Sequence, residues 1–128
     1  MTKTKYQLEY VLNTAPKLLY SRLNTPSGLA EWFADDVHIK GQHFVFIWDK
    51  IEHEAKVLMK KPNEFIRFKW LNDDPEDKEA YFEFLVTKEE LTGDVALIVT
   101  DFAEDDEIEG NTELWDKQIT VLKRALGV

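Results

Sequence analysis

Three histidines, two serines and a scatter of carboxylates are the side chains with which this chain can do chemistry. His38 and His43 flank a turn at Lys40-Gly41-Gln42, so their imidazoles can approach one another, but no spacing supplies a third metal ligand. The segment "HEAKV", from His53, lacks the second histidine of the H-E-x-x-H zinc motif. No metal site is expected. Neither Ser21 nor Ser27 lies in a G-x-S-x-G elbow, and Ser27 fits the turn that starts a helix. The five glycines recur at no spacing that builds a phosphate-cradling loop. Cysteine is absent, which excludes disulfides, thiolate nucleophiles and zinc–thiolate sites. No cofactor is implied and no catalytic residue is assigned.

What remains is acidic. Asp35 and Asp36 are adjacent carboxylates directly after Trp32-Phe33. In water they serve turns and caps. Partly buried, one would be pushed towards the neutral form by the other and would orient a ligand or act as a general base. Asp101, after Val99-Thr100, is placed to be drawn inward at a strand end. Arg67, Lys69 and Glu83 alternate with aromatic residues and are expected to face solvent. The run "DFAEDDEIE" precedes a helical pattern, where acidic groups stabilise the positive end of the helix dipole.

These residues must be held by some framework, and the pattern of the chain suggests one. "KYQLEYVLN" alternates Tyr6, Leu8 and Tyr10 against Gln7, Glu9 and Val11, a strand with one wetter face. "TAPKLLYSRLN" and "TPSGLAEWFA" read as two short helices. Each has Pro (Pro16, Pro26) in its first turn and a threonine (Thr14, Thr25) placed to cap it. From Asp35 to Phe102 the chain reads as strands broken at Lys40-Gly41-Gln42, Lys61-Pro62-Asn63, an acidic loop "NDDPEDKE", and Thr92-Gly93-Asp94. The final segment changes period: Leu114, Trp115, Gln118, Ile119, Leu122 and Leu126 form one helical face, with Gly127 as a C-cap. The fold class is therefore α+β. An antiparallel sheet of about seven strands is covered by the long C-terminal helix, with two short helices after strand 1 closing one end. The 128 residues fit a single domain.

Bulk properties narrow the partners. A formal net charge of −9 excludes the basic face that nucleic acid or an anionic membrane surface requires. No apolar run approaches the roughly 20 residues of a membrane span, and the start "MTKTKYQLEYVL" has no secretory core. A cytoplasmic location is the default expectation. Eight Phe, four Trp and four Tyr are hard to pack without gaps, so a cavity is expected. Phe44, Phe46 and Trp48 share one face of their strand, as do Ile66, Phe68 and Trp70, and Phe82, Phe84 and Val86. All are expected to meet Leu114, Trp115, Ile119 and Leu122. Val45, Ile47, Leu97 and Val99 are assigned to the opposite faces, where an exposed apolar surface would bring two copies together as a homodimer.

The order of elements, the segment "LNTPSGLAEWFADDVHIKGQHFVFIW" and the closing "LWDKQITVLKRALG" resemble the START-like superfamily. That is the helix-grip fold shared by Bet v 1-like proteins, polyketide cyclases and Hsp90-ATPase-activator homologues. The chain is most similar to an uncharacterised bacterial group carrying a "STPSGLSEWFADDV" type of segment. The sharpest matches are Thr25-Pro26, Leu29, Trp32-Phe33, the "IKGQHF" turn, Trp48 and Trp115. The resemblance implies a cavity between sheet and C-terminal helix for a small apolar or amphipathic molecule. Its expected walls are Trp32, Phe33, Phe46, Trp48, Phe68, Trp70, Phe84, Trp115 and Ile119, with Asp35 and Asp36 at the mouth. Two other activities occur on this scaffold: a protein-interaction module like the Hsp90 activators, and a cyclase- or dehydratase-like enzyme with a buried carboxylate in a roomy cavity.

Overall fold

The computed structural model describes residues 3–72 and 79–128. Most of the acidic loop "NDDPEDKE" therefore lies outside the described residues. The chain begins with β1 (Thr4–Val11), then α1 (Pro16–Asn24) and α2 (Pro26–Ala30). Six strands follow: β2 (Asp36–Lys40), β3 (His43–Trp48), β4 (Ile51–Lys61), β5 (Phe65–Trp70), β6 (Phe82–Lys88) and β7 (Val95–Ala103). A single 3-10 turn, Asp105–Glu107, leads into α3 (Ile108–Leu126).

The seven strands form one antiparallel sheet in the order β1-β7-β6-β5-β4-β3-β2. Strands β2 to β7 are thus a simple meander, and β1 closes the sheet beside the last of them. The short connections from β2 to β5 and from β6 to β7 leave those neighbours no alternative to antiparallel pairing. In the two-residue β3–β4 connection Asp49 and Lys50 both take positive φ, 53° and 66°. Non-glycine residues adopt that conformation at a cost. Here Asp35 Oδ2 accepts a hydrogen bond from Asp49 N at 2.9 Å and helps to hold the turn.

The short helices begin differently. Thr25 Oγ1 accepts from Gly28 N at 3.0 Å, the expected cap of α2. Thr14 does not cap α1: its N-cap is Ala15, with no side-chain cap. Pro16 alone marks that start, since its missing N–H costs nothing at the first helical position. Gly28 sits where α1 and α2 meet. A Cβ there would lie 2.3 Å from Ser21 O and 2.7 Å from Arg22 Cα, so only glycine admits the approach. At the far end of the chain, Gly127 adopts φ 74° and its N–H donates to Arg124 O, closing α3.

The core is a slab of rings between sheet and α3. Phe44 and Phe46 of β3, Phe68 of β5, and Phe82 and Phe84 of β6 are all buried. Phe68 stacks on Phe82 at 4.9 Å and Phe82 on Trp70 at 4.8 Å, while Phe44 meets Phe68 edge-on at 5.2 Å. Aromatic pairs prefer such offset and edge-to-face contacts. Trp115, Ile119 and Leu122 of α3 are buried against the core. Leu114, expected to join them, is 58% exposed. It lies one residue before Trp115, about 100° round the helix, on the side that faces out.

The opposite face of the sheet differs from expectation. Leu97 and Val99 pair with Val86 and Phe84 and belong to the core, with no exposure. The reason alternation fails here is that β7 is buried on both faces: Ala96 and Thr100, pointing the other way, are also covered. Val45 of the outer face is itself buried. Around it the outer face carries ion pairs, His43–Glu54 and Arg67–Glu83, and Arg67 lies over the Tyr81 ring at 4.1 Å. Glu83 is less wet than expected, with 13% of its side chain exposed. Of the four residues assigned to the apolar outer face, Leu97 and Val99 are thus core, while Ile47 of that face is half-buried.

Candidate functional site

Helix α2 ends at Ala30, and the chain turns sharply through Glu31 to Ala34. The carbonyl of Leu29 accepts from the N–H groups of Trp32, Phe33 and Ala34 at 3.3, 2.8 and 3.3 Å. This turn sends both rings inward. Trp32 and Phe33 are 5% and 4% exposed and touch each other at 5.4 Å. Trp32 meets Phe84 at 5.4 Å, and its indole N–H donates to Arg22 O at 2.7 Å, which locks the turn to α1. Phe33 meets Phe46, Trp48, Phe82, Phe84 and Trp115. Its carbonyl accepts two hydrogen bonds at 2.9 Å, from Trp48 Nε1 of β3 and Gln118 Nε2 of α3. One peptide group thereby ties the sheet and the long helix to the turn between α2 and β2.

Beside that junction the packing opens into a cleft of about 770 Å³. Its walls are the turn at Trp32, Phe33 and Asp35, the strand ends at Trp48, Trp70, Phe82 and Asp101, and one side of α3. The helix contributes Asn111, Leu114, Trp115, Gln118 and Val121. A cleft of this size, mostly apolar with a few convergent polar groups, is the ordinary form of a small-molecule site.

Of the residues expected to wall a cavity, Trp32, Phe33, Trp48, Trp70 and Trp115 line this cleft. Phe46, Phe68, Phe84 and Ile119 do not. They lie one layer deeper, fully buried at 0–1% exposure, because the rings of β3, β5 and β6 fill the space between sheet and helix. Asp35 lines the cleft, with its Oδ2 engaged by the Asp49 amide. Asp36 stands outside it as the exposed first residue of β2, and its Oδ1 accepts from Val37 N at 2.9 Å.

The polar centre of the cleft is Asp101. Its Oδ2 accepts from Tyr6 Oη and from Trp115 Nε1, each at 3.1 Å, and its Oδ1 accepts from Phe102 N at 2.8 Å. Burial pushes the Asp101 carboxyl above the usual carboxylate range. The amide of Phe102, the Trp115 and Tyr6 donors and the charge of Lys3 offset this in part. Burial, followed by the Asp101 charge, raises Tyr6 far above an ordinary phenol. Asp101 is the inward carboxylate anticipated at the end of its strand.

The histidines are elsewhere. His38 is exposed on β2, and His43 pairs with Glu54 on the outer face. The Glu54 carboxyl is held below its usual range, chiefly by the hydrogen bond to His43. His53 packs its ring against Trp48 and Trp70 at 5.5 and 6.2 Å. Among the described residues, one group of acidic side chains, Glu104, Asp106 and Glu107, has oxygens within 4.8 Å of one another. It stands just before and at the start of α3, where acidic groups complement the helix dipole.

Asn111 and Val121 of the cleft are not singled out by sequence reasoning, and Phe82 is expected to face α3 but not to wall the cavity. The helix positions had a signal: Asn111, Leu114, Gln118 and Val121 recur at spacings of three and four, a stripe beside the buried one.

An antiparallel sheet gripping a long C-terminal helix, with two short helices and an aromatic cleft at one end, defines the helix-grip class. The chain belongs to the START-like superfamily domain family, which matches residues 1–128. The solution structure of BfR322 from Bacteroides fragilis is 42% identical, covering 98% of this chain and 92% of that one, with a TM-score of 0.68. The Aha1 dimer from Colwellia psychrerythraea is 21% identical over 96% of both chains, with a TM-score of 0.78. MLL2253 from Mesorhizobium loti is 19% identical over 97% of both, again at 0.78. The last two are similar in fold. No curated protein matches the chain. No helix among the described residues is long and apolar enough to cross a membrane.

Proposed function

We propose that this START-like domain binds a small apolar or amphipathic molecule in the cleft between α3, the α2–β2 turn and the strand ends. The observation that carries this reading is the contrast inside one aromatic cluster. Phe46, Phe68 and Phe84 are sealed by their neighbours, whereas Trp48 and Trp70, from the same sheet face, remain partly exposed on an open volume of about 770 Å³. Aromatic surface left in water beside a filled core gains roughly 25 cal/mol per Å² when a ligand covers it, before ordering costs. Trp32, Phe33, Trp48, Trp70 and Trp115 would form the contact wall, with Asp35 at the mouth. Phe46, Phe68, Phe84 and Ile119 would support it from behind.

Native mass spectrometry of gently purified protein tests this. A reproducible extra mass, lost in a Val121→Trp variant that fills the cleft from an exposed position of α3, supports it. A clean mass, together with no binding of any apolar probe, opposes it.

A second reading, a cyclase-like enzyme, draws on Asp101, a buried carboxylate at the wall of a roomy cleft. It requires turnover that Asp101→Asn abolishes while ligand binding persists. The Aha1 similarity extends to fold, and an interaction module of that kind would retain its partner when the cleft is filled by Val121→Trp. Association of two copies is tested by sedimentation at micromolar concentration, where a monomer peak opposes it.

A further inference from the structure

The charge around the cleft is one-sided. Its charged lining residues are Glu31, Asp35 and Asp101, all acidic, and no Lys, Arg or His is among the lining residues. Glu31 is paired with Arg22, and Asp35 holds the β3–β4 turn. Asp101 differs because its hydrogen-bond donors are the neutral Tyr6, Trp115 and Phe102 amide, and the charge of Lys3 offsets its burial only in part. A carboxylate offers about four lone-pair positions, so three donors leave one for a ligand.

The hydrogen-bond polarity is one-sided too. The indole N–H groups of Trp32, Trp48 and Trp115 are consumed by Arg22 O, Phe33 O and Asp101. The Gln118 amide nitrogen is spent on Phe33 O, so these four N–H donors of the lining are already engaged. Four of the six rings that line the space are tryptophans, the side chains whose faces attract cations best.

We propose that the cleft selects a cationic amphiphile, an apolar body carrying an ammonium group, with Asp101 receiving the ammonium and the faces of Trp48, Trp70 and Trp115 covering the body. This rests on the cleft being a binding site, the reading given above. Its addition is the sign of the ligand. The raised proton affinity of Asp101 agrees: a carboxylate that burial leaves under-compensated gains more from an incoming cation than an exposed one. A carboxylate ligand would instead meet the carboxylates of Asp35 and Asp101 and lose its hydration with no cationic side chain in the lining.

Three probes of one chain length separate the possibilities: decylammonium, decanol and decanoate, titrated by calorimetry at neutral pH below their micelle concentrations. The expected result is decylammonium binding about tenfold or more tighter than decanol, with decanoate weakest. Asp101→Asn, whose single amide oxygen can still accept from Tyr6 and Trp115 but not also from the Phe102 amide, should erase the ammonium preference, so that decylammonium binds no tighter than decanol to the variant. Leu114→Lys, at an exposed lining position, should reduce ammonium binding and raise decanoate binding without touching the core. Equal binding of all three probes, or a preference for decanoate, overturns the cationic selectivity and leaves the cleft as an apolar site. Binding of none overturns both.

Discussion

The slab of phenylalanines and the cleft beside it are built from the same strands, yet they serve different ends. Phe46 and Trp48 are two residues apart on β3, and Phe68 and Trp70 two apart on β5. Each pair points to the same side of the sheet. The phenylalanines are sealed at 0% exposure, while the tryptophans, nearer the strand ends, are partly exposed and border the cleft. The difference lies in what comes across from the other elements. Over the middle of the sheet, Phe33 and the buried side of α3 complete the packing. At the end, α3 offers the half-open stripe of Asn111, Leu114, Gln118 and Val121 instead.

The sharpest way to break this comparison is to remove a ring from the slab and to add one to the cleft. Phe68→Ala leaves a large cavity in the slab and should cost about 3–5 kcal/mol of stability, read as a shift of the urea midpoint. Val121→Trp, on the cleft side, should remove ligand binding while moving stability by about 0.5 kcal/mol or less. Equal destabilisation by the two would mean that the cleft is an extension of the core. Next in size is Gly28→Ala. It forces a Cβ onto the Ser21 carbonyl and the Arg22 Cα, and backbone atoms there cannot step aside. We expect about 1–3 kcal/mol lost, with the cleft disturbed through the α2–β2 turn.

A smaller effect sharpens the role of Asp101. Its carboxyl holds a proton more tightly in the folded chain than in the unfolded one. Above the ordinary Asp range the folded state therefore binds more protons, and stability falls as pH rises through the raised value. The contribution is fully present below the unfolded pKa and is lost above the folded one. Asp101→Asn should flatten that part of the stability–pH curve, as measured by urea unfolding across mildly acidic pH. The groups facing Asp101 are Tyr6 and Lys3 from the β1 side and Trp115 from α3, and Tyr6 stays neutral throughout this window. An unchanged slope in the variant would show that Asp101 is better compensated than its surroundings indicate. Glu54 acts with the opposite sign: its lowered pKa contributes stability above the unfolded value that is lost as pH falls through the folded one.

Much of this architecture was readable from the chain. The alternation of "KYQLEYVLN" and "EFIRFKWL", the prolines at two helix starts and the late change to a helical period correspond to β1, β5, α1, α2 and α3. Where both faces of an element are buried, alternation carries no sign, and Leu97 and Val99 of β7 were assigned to the wrong side for that reason. The candidate site was legible as a set of rings and only coarsely as a place. Period two says which rings share a face. It does not say how far along the strand the opposing helix stops covering them, and that distance separates Phe46 and Phe68 from Trp48 and Trp70. Asp36 looked equivalent to Asp35, but one residue of strand turns it away to an exposed position.

The measurement that bears most directly on this account is a two-dimensional NMR titration with decylammonium, following the indole N–H signals of the four tryptophans. Large shifts of Trp48, Trp70 and Trp115, with the β5 and β6 amides beneath the phenylalanine slab nearly still, are the expected result. Silent indoles at saturating probe, or shifts spread over the outer face of the sheet, would contradict the claim that the cleft is the binding site.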